Sequence, residues 1–136
     1  AGDARRASLL LNEALRECQR ALELRRVWLG DAHRSTATSH NNLGRALQDA
    51  GRFAEAEKEF EESLRILRRG LGSRHQLVAR ALHNLARMKL EIGDREEALA
   101  YARSAHAMRA ELLGSEHSET LDSAELVRIV REQAIP

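Results

Sequence analysis

The motif Leu-Gly-x-x-His occurs three times, at residues 29–33, 71–75 and 113–117. Gly30, Gly72 and Gly114 are 42 residues apart, and His33, His75 and His117 keep the same interval. So do Leu43, Leu85 and Val127, and Ala14, Ala56 and Ala98. The segment HNNLGRALQDAGRFAEAE over residues 40–57 aligns with LHNLARMKLEIGDREEAL over 82–99. A fixed period of this length means that one supersecondary unit is copied, each copy burying its apolar face against its neighbours.

Each period holds two helices. Leu43, Ala46, Leu47 and Ala50 form a helical stripe over about 34–50, and Gly51 closes it. A second helix follows over about 52–71, with Phe53, Ala56, Phe60, Leu64 and Leu67 on one face, ended by Gly72. The plan recurs at about 76–92 and 94–113, closed by Gly93 and Gly114. Residues 3–29 read as one long leading helix, and 118–132 as a capping helix. Gly44 and Ala86 are small where the helices of a hairpin must approach, whereas Arg128 holds that place in the last helix, as suits a terminal cap.

Composition agrees. The only proline is Pro136, so nothing breaks a helix internally. The chain is all-α by this reading, with about six helices in a single domain over 1–136. The 22 basic and 21 acidic residues leave a net charge of +1, which argues against nucleic acid as partner. Twenty of the basic residues are arginine, and Lys58 and Lys89 are the only lysines. Cys18 is alone, so no intrachain disulfide forms, which fits a reducing, cytoplasmic setting. No apolar run reaches membrane-span length. A start at Ala1 rather than Met suggests a fragment of something longer.

Leu43, Gly44, Leu47, Gly51, Phe53, Ala56, Phe60 and Ser63 resemble the signature of the tetratricopeptide repeat, as do Leu85, Ala86, Gly93, Ala98, Ala102 and Ala105. The 42-residue period with LGxxH, NNLG and GRFAEAE is similar to the kinesin-light-chain type, over residues 11–130. The resemblance implies a right-handed α-solenoid of antiparallel helix pairs, with the first helix of each pair on the concave side. Asp31, Arg34, Ser73, Gln76, Arg68 and Ala110 stand where the family often has proline. Lys89 replaces an apolar or aromatic residue, and the third repeat lacks the asparagine.

On the first such helix Thr38, Asn41, Asn42 and Arg45 share a face by their i, i+3, i+4, i+7 spacing; Arg80, His83, Asn84 and Arg87 repeat the pattern one period later. Asparagine offers a donor and an acceptor to a peptide backbone, and arginine clamps carboxylates. Family resemblance assigns Asn42 and Asn84 to contact with the ligand backbone. Asn41, Asn42, Arg45, Arg80, His83, Asn84 and Arg87 are therefore the candidate peptide-binding residues, with acidic segments favoured. Asp122 and Glu125 take the corresponding places in the last helix, so that preference should fade there.

His83 faces the expected groove and is a candidate for tuning binding between pH 5 and 8. His33, His75 and His117 sit one repeat apart, too far to share a metal whose ligand atoms must lie within roughly 4 Å of one another. The expected work of His33 is bonding the loose backbone groups at the next helix start. His40 and His106 are expected to be half-buried packing residues, and residues 54–63 a solvated face. Trp28 is expected to pack against the next hairpin; the alternative is an exposed contact for a missing upstream repeat. No phosphate loop, nucleophile elbow or supported Cys/His pair is present, so no enzyme activity and no cofactor are expected. The function expected is a protein- or peptide-binding scaffold. Its competitor is a structural segment that self-associates through its ends, where Leu9, Leu10 and Leu11 offer an apolar edge.

Overall fold

The computed structural model describes residues 2–133 and is helical wherever it has regular structure. Six helices follow in order: α1 (Gly2–Leu29), α2 (Arg34–Asp49), α3 (Phe53–Leu71), α4 (Gln76–Glu91), α5 (Arg95–Leu113) and α6 (Ser118–Gln133). The chain divides into two compact units, Ala1–Ile66 and Leu67–Pro136, with the boundary inside α3.

Three of the helix starts are set by the repeated histidines. His33 is the N-cap of α2, and its Nδ1 accepts the Ser35 backbone N–H at 3.0 Å. His75 caps α4 by accepting from Leu77 N–H at 3.0 Å, and His117 accepts from Glu119 N–H at 3.2 Å. The carbonyl of each histidine also accepts the first intrahelical bond, from Ala37, Ala79 and Leu121. The imidazole thus does the work usually given to Ser, Asp or Asn, satisfying an orphan donor of the first turn. Asp94 caps α5 in the more familiar way, accepting from Glu97 N–H at 3.2 Å.

Helix ends are of two kinds. At Gly51 (φ +76°) the Gly51 and Arg52 amides turn back to the Gln48 and Leu47 carbonyls, a Schellman ending that needs a positive φ. Gly114 differs. Its φ/ψ of 91°/156° places it in an extended region that is essentially glycine's own, rather than in the left-handed helical well.

In the first unit α1 buries Leu15 and Leu22 against α2, and α2 buries Ala37, Leu43 and Leu47. Phe60 of α3 is fully buried against Gly44: a Cβ built on Gly44 would lie 2.8 Å from two carbons of the Phe60 ring. Ser63 Oγ donates to the Ala37 carbonyl at 2.8 Å, and His40 Nδ1 lies 2.6 Å from Glu59 Oε2. His40 is half-buried as expected, but Glu59 and the buried Phe60 and Ser63 show that residues 54–63 are not simply a solvated face.

In the second unit Ala86 of α4, Ala98 and Ala102 of α5, and Leu126 and Val130 of α6 form one core, with Leu90, Leu99, Tyr101 and Val127 packed on it. Small faces small here: Ala102 occupies the repeat position of Phe60, and Ala86 that of Gly44. Lys89 is buried along its stem, with Nζ 2.7 Å from Glu97 Oε2. Arg128 stays exposed, held by Glu125 and Glu132 of its own helix.

Trp28 does not pack against the next hairpin. It is 80% exposed. The buried stripe of α1 runs through Leu15, Cys18, Leu22 and Arg25, and at 100° per residue Trp28 falls well outside it.

Candidate functional site

The polar stripe divides between solvent and core. In α2, Asn42 and Arg45 are exposed, whereas Asn41 is only 6% accessible and lies beneath that surface. Asn41 and Asn42 differ by 100° around the helix, so only one of the pair can project fully outward. In α4, Arg80 and Arg87 are exposed, and Asn84 and His83 are half-buried. Arg80 and Arg87 are seven residues apart, two turns on one face, and Asn84 lies between them.

His83 belongs to a network rather than to an open surface. Its Nδ1 lies 3.2 Å from Ser123 Oγ of α6 and 3.3 Å from Nη1 of Arg109 of α5. Arg109 Nη1 also donates to Ser123 Oγ at 2.7 Å and to the Glu119 carbonyl at 3.1 Å. Facing a guanidinium, Nδ1 is an acceptor, which leaves the proton of the neutral ring on Nε2. Burial, and then the charges of Arg109 and Arg87, push the His83 pKa down to about 4. This overturns the expectation that His83 titrates between pH 5 and 8: the ring is neutral throughout that range.

Arg109 is itself 5% accessible, and desolvation lowers its pKa below the usual guanidinium value. Its counterpart two repeats earlier is Arg25, whose Nη1 donates to Ser39 Oγ at 2.7 Å and to the Ser35 carbonyl at 3.2 Å. The same clamp is therefore built once in each unit. Between them in sequence the corresponding positions hold Leu67 and Ala81, both buried and apolar. Thr36, Val78 and Thr120 follow the same polar, apolar, polar alternation, all fully buried. Thr36 Oγ1 donates to the Gly30 carbonyl at 2.7 Å. Sequence reasoning missed these clamps; the signal was the constant offset of 14 residues in Arg25/Ser39 and Arg109/Ser123.

Cys18 is half-buried on α1, and burial, with the charge of Glu17, raises its thiol pKa. It lines an open cavity of about 220 Å³ with Ala14, Glu17, Ala21, Ser39 and Asn42. Among the described residues no group of three or more His, Cys, Asp or Glu side chains could hold a metal ion. No helix among them is long and apolar enough to cross a membrane.

A family model described as Tetratricopeptide repeat matches residues 1–69 and again 40–111. The chain belongs to the tetratricopeptide repeat family. Solved structures agree on the fold and on its kinesin-light-chain-like form. A Podosopora anserina kinesin-light-chain protein with nearly identical TPR-like repeats is 27% identical, with a TM-score of 0.84 over 96% of this chain and 63% of its own. A point variant of that protein is similar at 27% identity, with a TM-score of 0.81 over 93% of this chain and 61% of its own. BtubC (BKLC) from P. vanneervenii has a TM-score of 0.84 at 21% identity, covering 91% of this chain and 50% of its own. The chain thus spans about half to under two thirds of these structures. No curated protein matches it significantly. Tetratricopeptide repeats generally mediate protein–protein interaction, and the fold typically serves as scaffold rather than catalyst.

Proposed function

We propose that this tetratricopeptide-repeat chain is a protein-binding scaffold in which the first helices of the pairs, α2 in one unit and α4 in the other, each present their own peptide-binding stripe that favours acidic segments. The observation that carries this reading is the exposure of Arg45, Arg80 and Arg87 together with Asn42. None of the ion pairs found among the described residues engages Arg45, Arg80 or Arg87. An exposed guanidinium can clamp a ligand carboxylate at two points, and an asparagine beside it can bond the ligand backbone. Asn84 joins this set as a half-buried member. Asn41 and His83 support it from beneath rather than touching ligand. At the α6 end Asp122 is exposed at the place of Arg80, and acidic preference fades there.

The test is fluorescence polarisation of acidic and charge-neutral peptides against the wild type and an Arg45→Ala/Arg87→Ala variant. Hydrogen bonds to charged groups contribute about 1.5–3 kcal/mol each, so the double variant should lose more than about tenfold in affinity for acidic peptides. Unchanged affinity would remove the stripe from the binding site.

A further inference from the structure

Within the second unit the arginines of α4 are met by charges of the opposite sign. Arg80 and Arg87 stand exposed on α4, and Glu119 and Asp122 stand exposed on α6. None of the ion pairs found among the described residues engages any of these four side chains. All four surround one point of contact, where His83 Nδ1 of α4 lies 3.2 Å from Ser123 Oγ of α6. Arg80 and Arg87 are about one turn to either side of His83, and Asp122 adjoins Ser123. His83 feels the charges of Arg87, Asp122 and Glu119, and Arg109 feels those of Glu119, Asp122 and Arg80. Two unpaired cations and two unpaired anions therefore border one groove.

The repeat separates this arrangement from plainer uses of the acids. Anchoring a buried arginine does not require them: Arg25 makes the same clamp to Ser39, with Ser35 and Thr38 in the places of Glu119 and Asp122. Glu119 lies in the first turn of α6, where the helix macrodipole favours a carboxylate. Asp122 lies a turn further on, where that effect has fallen off. Nor is its place one that a neighbouring helix covers. Arg80 holds the same position on α4 and stays exposed with α6 packed alongside.

We infer that the groove between α4 and α6 takes a peptide segment carrying both signs of charge, with an acidic residue on Arg80 and Arg87 and a lysine or arginine on Asp122. The inference rests on the peptide-binding reading of α4 and adds the residue that must accompany the acid. Packed helices lie about 8–10 Å apart, and an extended chain rises about 3.3 Å per residue, so the two ligand charges are about three residues apart. Glu119 adds a second negative charge on the side where the cation sits. A uniformly acidic segment would instead set like charges together at Asp122. Specificity thus comes from that repulsion as well as from the attraction at the arginines.

The test is capture of a library of synthetic peptides by the immobilised chain, with one fixed Glu, all other positions randomised, and the bound pool sequenced. A parallel library with Gln at the fixed position measures what the acid contributes. The wild type should retain the Glu library over the Gln library and enrich Lys and Arg about threefold at three residues from the Glu. Asp122→Asn should abolish that enrichment, and Asp122→Lys should replace it with enrichment of Asp and Glu. Glu116→Lys, the same change of charge at an exposed turn residue outside the groove, should keep the wild-type pattern. If the Glu library is not preferred, or its preference survives Arg80→Ala/Arg87→Ala, the peptide-binding reading of α4 and this inference fall together. If the preference depends on those arginines but Lys and Arg are not enriched, or stay enriched in Asp122→Lys, the inference alone falls. A loss of stability in urea for Asp122→Asn with an unchanged bound pool would make Asp122 a counter-charge of Arg109 and overturn it as well.

Discussion

Gly44→Ala probes the hairpin packing at its tightest point. The added Cβ would lie 2.8 Å from Phe60 Cδ1 and Cε1, and the ring is fully buried. Overpacking of this kind costs about 1–3 kcal/mol. Replacing a helical glycine by alanine returns about 1 kcal/mol. The net expectation is a loss of about 1 kcal/mol, reversing the usual benefit of this substitution. Phe60→Ala alone should cost about 3–5 kcal/mol through the cavity it leaves. In that background Gly44→Ala should instead stabilise by about 1 kcal/mol, because it rebuilds the Ala86/Ala102 pairing found one repeat later. Urea unfolding of the wild type, both single variants and the double variant, followed by far-ultraviolet circular dichroism, gives the coupling. If Gly44→Ala shifted stability by the same amount and sign in both backgrounds, steric contact with Phe60 would not be what requires glycine there.

His33→Ala and His75→Ala should each lower stability by about 1 kcal/mol, while His→Asn at either site should retain most of it; thermal unfolding reads the difference. His83 is neutral in the fold with a pKa of about 4, below its ordinary 6.5, so its contribution is fully present above pH 6.5 and is lost as pH falls toward 4. After allowance for solvent screening the loss is roughly 1–2 kcal/mol, and His83→Gln should flatten that part of the stability–pH curve. Ser123→Ala alone removes an acceptor from a buried guanidinium and should cost about 1–3 kcal/mol. Arg109→Leu/Ser123→Ala copies the Leu67/Ala81 positions of the preceding repeat and should restore stability to near or above the wild type in urea titrations.

Helix number and order were legible because the punctuation is local. A glycine with positive φ and a histidine cap are set by residues within one turn, and the 42-residue period exposes them by repetition. The Gly44 approach was legible for the same reason, since a small residue recurs at Ala86 and fails at Arg128. The Arg25 and Arg109 clamps were not, because each joins two helices and its middle counterpart is apolar. Periodicity placed Asn41 and Asn42 on one face, but an arc of 100° cannot tell a residue at its edge from one turned under it. The environment of His83 depends on Arg109 and Ser123, which approach only in three dimensions. Trp28 misled for a simpler reason: its size suggested burial, yet its angle on α1 points away from α2.

The central claim is that the exposed amide and guanidinium groups of α2 and α4 recognise an acidic peptide. The most direct measurement is nuclear magnetic resonance mapping of side-chain amide and arginine Nε–H signals during titration with an acidic peptide selected for binding. Signals of Asn42 and Arg45 on α2, and of Arg80 and Arg87 on α4, should each shift and saturate, with Asn41 moving little. Shifts confined to other helices, or an acidic peptide that binds while Arg45, Arg80 and Arg87 stay unmoved, would contradict the account.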